Sequence, residues 1–225
     1  MSLVRIKICG VTTPEDARAA ADWGADAVGL NFYPKSPRFL EPNRAAAIIR
    51  ALPPFTAPVG VFVGMPIRQV CALAYQLGLR GIQTYDTVPP GEDPFPFSPI
   101  ASFRIKEESG LEQIRHYVAT ARKTGYAPAA VLVDSHVEGQ MGGTGHRAPW
   151  EPLRGFDPGV PLILAGGLTP ENVAEAITVV RPWGIDVASG VESSPGVKDP
   201  RRLKQFIEAA RCAAAILPPR TQESL

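Results

Sequence analysis

The chain has 225 residues, 45% of them hydrophobic, with 23 basic side chains against 22 acidic ones. That near-neutral balance excludes the basic footprint of a nucleic-acid-binding surface, and the length suffices for one large core. The longest uncharged stretch, 51–67, is 17 residues with four prolines, too short and too broken to span a bilayer.

The first residues alternate like a strand and carry no signal-peptide core. Three cysteines, Cys9, Cys71 and Cys212, are odd in number and widely spaced, which argues against a disulfide framework or a zinc site. A reducing, cytoplasmic location is the expectation.

Short runs rich in Val, Ile and Leu read as strands at Val4–Cys9, Ala27–Phe32, Pro58–Val63, Gly81–Tyr85, Ala101–Lys106, Ala129–Asp134, Pro161–Ala165 and Gly184–Ser189. Helical stretches fall between most of them: Pro14–Trp23, Pro42–Leu52, Pro66–Leu77, Leu111–Lys123, Pro170–Val180 and Pro200–Ala215. Eight strands alternating with helices fit a single (β/α)₈ TIM barrel better than an open doubly wound sheet, which usually has fewer strands. The expected domain is 1–216, followed by a C-terminal tail at 217–225.

Proline is frequent but orderly. Pro14, Pro42, Pro66, Pro170 and Pro200 each stand where a helix should begin, a position at which the missing N–H costs nothing. Thr13, Thr169 and Asp199 precede three of them as N-caps. One barrel unit breaks this pattern. Between the fourth and fifth strands, Val88–Pro99 holds five prolines in twelve residues, which forbids a regular helix and predicts a loop with Phe95 and Phe97 against the barrel flank.

In such a barrel, chemistry sits at the C-terminal strand ends. Lys7 and Cys9 share one face of the first strand, and Ile6 and Ile8 share the other. With the isoleucines toward the helices, Lys7 and Cys9 point inward. Cys9 is then either a small buried filler or a thiol that the nearby cation biases toward thiolate. Asp134 closes the sixth strand, as a loop cap or as an acid. Asp186, inside the eighth strand, needs a partner, and Lys7 on the neighbouring first strand can supply it.

Glycine clusters follow the last three strands: Gly142-Gly143-Thr144-Gly145, Gly166-Gly167 and Ser189-Gly190. They can be ordinary turns, or backbone N–H cradles for a phosphate, which many barrels hold after strands seven and eight. Arg38 follows the second strand in a loop stiffened by two prolines, either as a solvated charge or as a clamp for a carboxylate. Of the histidines, His116 falls on a helix surface and His146 in a glycine loop. No metal-ligand cluster, Walker pattern or strand-borne G-x-G-x-x-G is present.

Taken together, Lys7-Ile8-Cys9-Gly10, Gly29-Leu30-Asn31-Phe32-Tyr33-Pro34-Lys35-Ser36-Pro37-Arg38, Val133-Asp134-Ser135, Gly142–Gly145, Ala165–Val173, Asp186–Glu192 and Pro195–Asp199 resemble the phosphoribosylanthranilate isomerases of tryptophan biosynthesis, over about Val4 to Ala210. The resemblance implies a cofactor-free Amadori rearrangement of N-(5-phosphoribosyl)anthranilate, a small phosphosugar, to 1-(2-carboxyphenylamino)-1-deoxyribulose 5-phosphate. It implies Asp134 as general acid, Cys9 as general base and Arg38 on the anthranilate carboxylate. It also implies a phosphate on Gly143, Thr144, Gly145, Gly166, Gly167, Ser189 and Gly190.

The chain departs from the family's pattern at Tyr85, where the fourth strand usually ends in Gln-Leu-His-Gly, and at His146–Pro149. Monomer and homodimer both remain open. The rival readings are another phosphosugar enzyme, such as a ribulose-phosphate epimerase, and a binding paralogue without turnover.

Overall fold

The computed structural model describes residues 4–85, 97–105, 109–125, 127–134 and 150–217. Eight strands, β1 (Arg5–Cys9), β2 (Ala27–Asn31), β3 (Ala57–Phe62), β4 (Gly81–Thr84), β5 (Ser98–Arg104), β6 (Ala130–Asp134), β7 (Leu162–Ala165) and β8 (Gly184–Val187), pair in parallel and in sequence order. Strand β1 also pairs with β8, with Lys7 opposite Asp186, so the sheet closes into a barrel. Around it lie α1 (Pro14–Asp22), α2 (Pro42–Ala51), α3 (Ile67–Leu77), α4 (Ser109–Lys123), α5 (Val173–Val180) and α6 (Pro200–Ile216).

The two-residue period of the strands sorts side chains between two cores. Ile6, Ile8, Val28, Leu30, Val131, Val133, Leu164 and Ile185 face outward and pack with Ala17, Ile48, Val70, Ile114, Ile177 and Phe206 of the helices. Inside the barrel, Ala130, Leu132, Ile163 and Ala165 form a second, smaller cluster with Ile100. The rest of the interior includes the buried polar residues Lys7, Gln83, Ser102 and Asp186. Burying so many polar groups costs free energy unless each is paired, which marks the upper barrel as a site rather than a core.

Local capping follows the sequence at two helices. Thr13 accepts the Asp16 N–H at 3.1 Å, and Asp199 accepts those of Arg201 and Arg202 at 2.8 and 3.2 Å. Pro14, Pro42 and Pro200 open their helices as expected. Two prolines do not. Pro66 is itself the N-cap of α3. Strand β7 leads into a turn, and α5 starts only at Val173, three residues after Pro170. There Asn172 takes over the local bonding: its Oδ1 accepts the Thr169 N–H at 2.8 Å, and its Nδ2 donates to the Gly167 carbonyl at 2.9 Å.

Strand β5 begins three residues before the sequence reading placed it. After β8 the chain forms a 3-10 turn (Ser189–Val191) and a small hairpin of β9 (Glu192–Ser194) and β10 (Val197–Lys198), which the periodicity did not announce. The proline-rich 86–96 and the glycine loop with Gly143, Thr144 and Gly145 lie outside the described residues. Among the described residues no helix separates β4 from β5, and Phe97 packs against the outer core.

Candidate active site

A cavity of about 700 Å³ opens at the C-terminal end of the barrel. Cys9 from β1, Arg38 from the loop after β2, Asp134 from β6, Gly166 and Gly167 after β7, and Ser189 after β8 all line it. Six residues named from sequence therefore converge on one space. Gly190 stands behind it: a Cβ there would lie 1.9 Å from the Leu168 carbonyl oxygen, so this residue packs two loops together. Asn31, Ser102, Arg104 and Tyr85 also line the cavity. Of these only Tyr85 was singled out by sequence. Ser102 and Arg104 could have been found from the two-residue period of β5 counted from Ile100. His116 is exposed on α4.

Beneath the cavity Lys7 donates from Nζ to Asp186 Oδ1 and to Gln83 Oε1, each at 2.8 Å. The Lys7–Asp186 pairing expected from neighbouring strands is present. Burial opposes the ammonium charge, but the charge and hydrogen bond of Asp186 together with Cys9 and Tyr85 outweigh it and hold Lys7 protonated well above its ordinary range. Sγ of Cys9 sits beside Lys7 Nζ, both crowding the inner face of Gly29.

The expected bias toward thiolate does not follow. Burial pushes the Cys9 thiol up, and the Asp186 charge adds to this, while Lys7 and Lys198 pull it down without prevailing. Burial is the larger cause, and Lys7 cannot offset it because it meets Cys9 as half of an ion pair whose Asp186 charge opposes its own.

Tyr85 lies within electrostatic range of both Cys9 and Asp134. Burial and the surrounding acidic groups raise its phenol to about 12, so it remains protonated at neutral pH. The Arg104 guanidinium stacks over its ring, 5.1 Å from the centroid.

Arg38 is held from behind. Its Nε and Nη2 donate to Glu192 Oε1 and Oε2 at 2.8 and 2.6 Å, a side-on bidentate pair. This leaves the other edge of the guanidinium, Nη1 with the second Nη2 hydrogen, for a ligand carboxylate. Gly10, at φ +70°, lets the chain turn after Cys9 so that Arg38 can cross it; a Cβ at Gly10 would lie 2.2 Å from Arg38 Cδ.

Gly166 and Gly167 take φ +94° and +62° in succession. Glycine adopts such values without strain and lets a ligand approach the backbone closely. Among the described residues no cluster of His, Cys, Asp and Glu has metal-binding geometry, and no helix is long and apolar enough to cross a membrane.

The chain has counterparts among known proteins. The chain matches the family model described as N-(5'phosphoribosyl)anthranilate (PRA) isomerase over residues 6–209. It is 43% identical over 210 residues to the N-(5'-phosphoribosyl)anthranilate isomerase of Geobacter sulfurreducens, covering 93% of this chain and 99% of that one. Identity to the isomerase of Pseudomonas savastanoi pv. phaseolicola is 44%, with 93% and 98% covered.

The crystal structure of phosphoribosyl anthranilate isomerase from Thermotoga maritima superposes with a TM-score of 0.78 at 36% identity, covering 93% of this chain and all of that one. A second structure of such an isomerase, in complex with reduced 1-(o-carboxyphenylamino)-1-deoxyribulose 5-phosphate, gives 0.75 at the same identity and the same coverage. With the family model spanning nearly the whole barrel, this chain belongs to the N-(5'-phosphoribosyl)anthranilate isomerase family.

Proposed function

We propose that this chain performs the isomerisation its family is named for, with Cys9 and Asp134 as its acid–base pair. The observation that carries the residue roles is the convergence of Cys9, Asp134 and Arg38 on one cavity in a family member. The substrate is N-(5'-phosphoribosyl)anthranilate. Asp134, as general acid, delivers a proton to the furanose ring oxygen. The C1–O bond breaks as the anilino nitrogen lone pair forms a C1=N double bond. The Cys9 thiolate then takes the proton on C2, and that electron pair forms C1=C2 while the C1=N pair returns to nitrogen. The enolamine tautomerises to the ketose, 1-(2-carboxyphenylamino)-1-deoxyribulose 5-phosphate, by gaining a proton at C1 and losing one from the C2 hydroxyl.

Two separate groups suit this chemistry, because the ring oxygen and C2 are different atoms and neither residue then has to move. Arg38 binds the anthranilate carboxylate with its free edge. The backbone N–H groups of Gly166 and Gly167, with Ser189 and Gly190 and with Gly143-Thr144-Gly145, bind the phosphate. Cys9 must stay reduced to act as base, which supports a reducing, cytoplasmic setting.

The test is turnover of phosphoribosylanthranilate, followed as loss of anthranilate fluorescence with no metal added. A positioned acid or base contributes about 10²–10⁴-fold, so Cys9→Ala and Asp134→Asn should each lower kcat by at least about 10² with the fold intact. The steps are sequential, so the double variant should be little worse than either single one. A folded Cys9→Ala enzyme keeping more than about a tenth of kcat would make the thiol a packing residue. Complete absence of turnover in the unmodified chain would favour a binding paralogue.

A further inference from the structure

Glu192 does not line the cavity, yet it contacts the residue proposed above to bind the substrate carboxylate. Its side chain is 4% exposed and is shared between two cations. One is Arg38. The other is Lys198 of β10, whose Nζ lies 2.8 Å from Glu192 Oε1. The Lys198 side chain is wholly buried, and its three N–H groups are all used: the other two donate to the carbonyls of Cys9 at 2.6 Å and Ala188 at 3.1 Å. A single buried ion pair thus touches Arg38 on one side and the backbone of Cys9 on the other.

The charge count gives this arrangement a purpose. Glu192 with Arg38 alone would be neutral, and a ligand carboxylate would meet a cancelled cation. Lys198 supplies a second positive charge, so the triad carries a net +1 toward one incoming carboxylate. Geometry points the same way. The side-on bond to Glu192 occupies the Nε edge of Arg38 and fixes the plane of the guanidinium, and a bidentate partner on the opposite edge needs that plane fixed.

We infer that Glu192 and Lys198 are positioning residues, which orient Arg38 toward the substrate carboxylate and tie that clamp to the strand end bearing Cys9. The inference rests on Arg38 being the carboxylate clamp, and the test separates the two. Kinetic constants for phosphoribosylanthranilate are measured on the full chain for Arg38→Ala, Glu192→Gln, the double variant Arg38→Ala/Glu192→Gln, and Lys198→Met, with folding followed by circular dichroism.

Losing a charge-assisted carboxylate contact should raise KM about tenfold to a hundredfold in Arg38→Ala. Glu192→Gln should raise KM about tenfold with kcat within about threefold, and should add nothing in the Arg38→Ala background, since residues acting as a unit are not additive. Lys198→Met should raise KM and also lower kcat, because it frees the Cys9 carbonyl.

An unchanged KM in Arg38→Ala would remove the clamp and the inference with it. A raised KM there, combined with an equal Glu192→Gln effect in both backgrounds, would keep the clamp and overturn the inference. An unchanged KM in Glu192→Gln, or failure of both Glu192→Gln and Lys198→Met to fold, would assign the pair to stability and also overturn it.

Discussion

Lys7 and Asp186 meet at the seam of the barrel, Nζ to Oδ1 at 2.8 Å, on the two strands whose pairing closes the sheet. Both side chains are under a tenth exposed. Removing one partner of such a pair leaves an uncompensated buried charge, at a cost of roughly 3–5 kcal/mol. For a chain of this size each kcal/mol moves Tm by about 2–4 °C. Asp186→Asn should therefore lower Tm by about 6–20 °C in a calorimetric scan. A drop below about 2 °C would show that Gln83 alone satisfies Lys7.

The buried thiol of Cys9 predicts an alkaline pH profile. Its pKa lies above the usual thiol range, so the thiolate base is a small fraction at neutral pH and grows about tenfold per pH unit. With Cys71 and Cys212 replaced by alanine, the rate of Cys9 alkylation by iodoacetamide in the open cavity should still be rising at about pH 8.5. A rate that levels off below about pH 7 would mean a thiol activated in the free enzyme. Stability has the opposite sign. The folded chain holds this proton more tightly than the unfolded chain, so Cys9's contribution is complete below the unfolded value of about 8.5 and is lost as pH rises above it.

Tyr85 replaces the histidine of the family's usual pattern. Burial holds its phenol protonated up to about pH 12 and Arg104 lies over its ring, which suits a side chain that shapes the cavity and does not serve as a base. Tyr85→Phe and Tyr85→His should each leave kcat within a few-fold. A change of about a hundredfold in steady-state kcat would place the side chain in the chemistry.

Gly10 carries no functional group, yet Gly10→Ala should impair binding. The new methyl would collide with Arg38 Cδ on a backbone at φ +70°, a strain of order 1–3 kcal/mol. Both effects push the guanidinium away from Glu192. KM should rise by about tenfold with a smaller change in kcat, and Tm should fall by several degrees. A KM within about twofold of the parent enzyme would show that the Arg38 loop absorbs the displacement.

What the sequence by itself determined is what local physics encodes. Period-two alternation placed Lys7 and Cys9 inside β1 and Ile6 and Ile8 outside it. Apolar runs located all eight strands, Thr13 and Asp199 marked their helix starts, and Asp134 ended β6 where the cavity opens. Each of these signals spans a few residues, and local patterning decides it before the chain folds.

Beyond the Lys7–Asp186 pair, only the tertiary structure decided how the charges of the site are held. Arg38 finds Glu192 across 154 positions and Lys198 finds the Cys9 carbonyl across 189. The direction of the Cys9 shift also reversed the sequence expectation, since it depends on burial and on Asp186 as well as on Lys7. Closing the barrel brings strand ends together that no local pattern relates, and a pKa or an ion pair is set by everything within a few ångströms, whatever its distance along the chain.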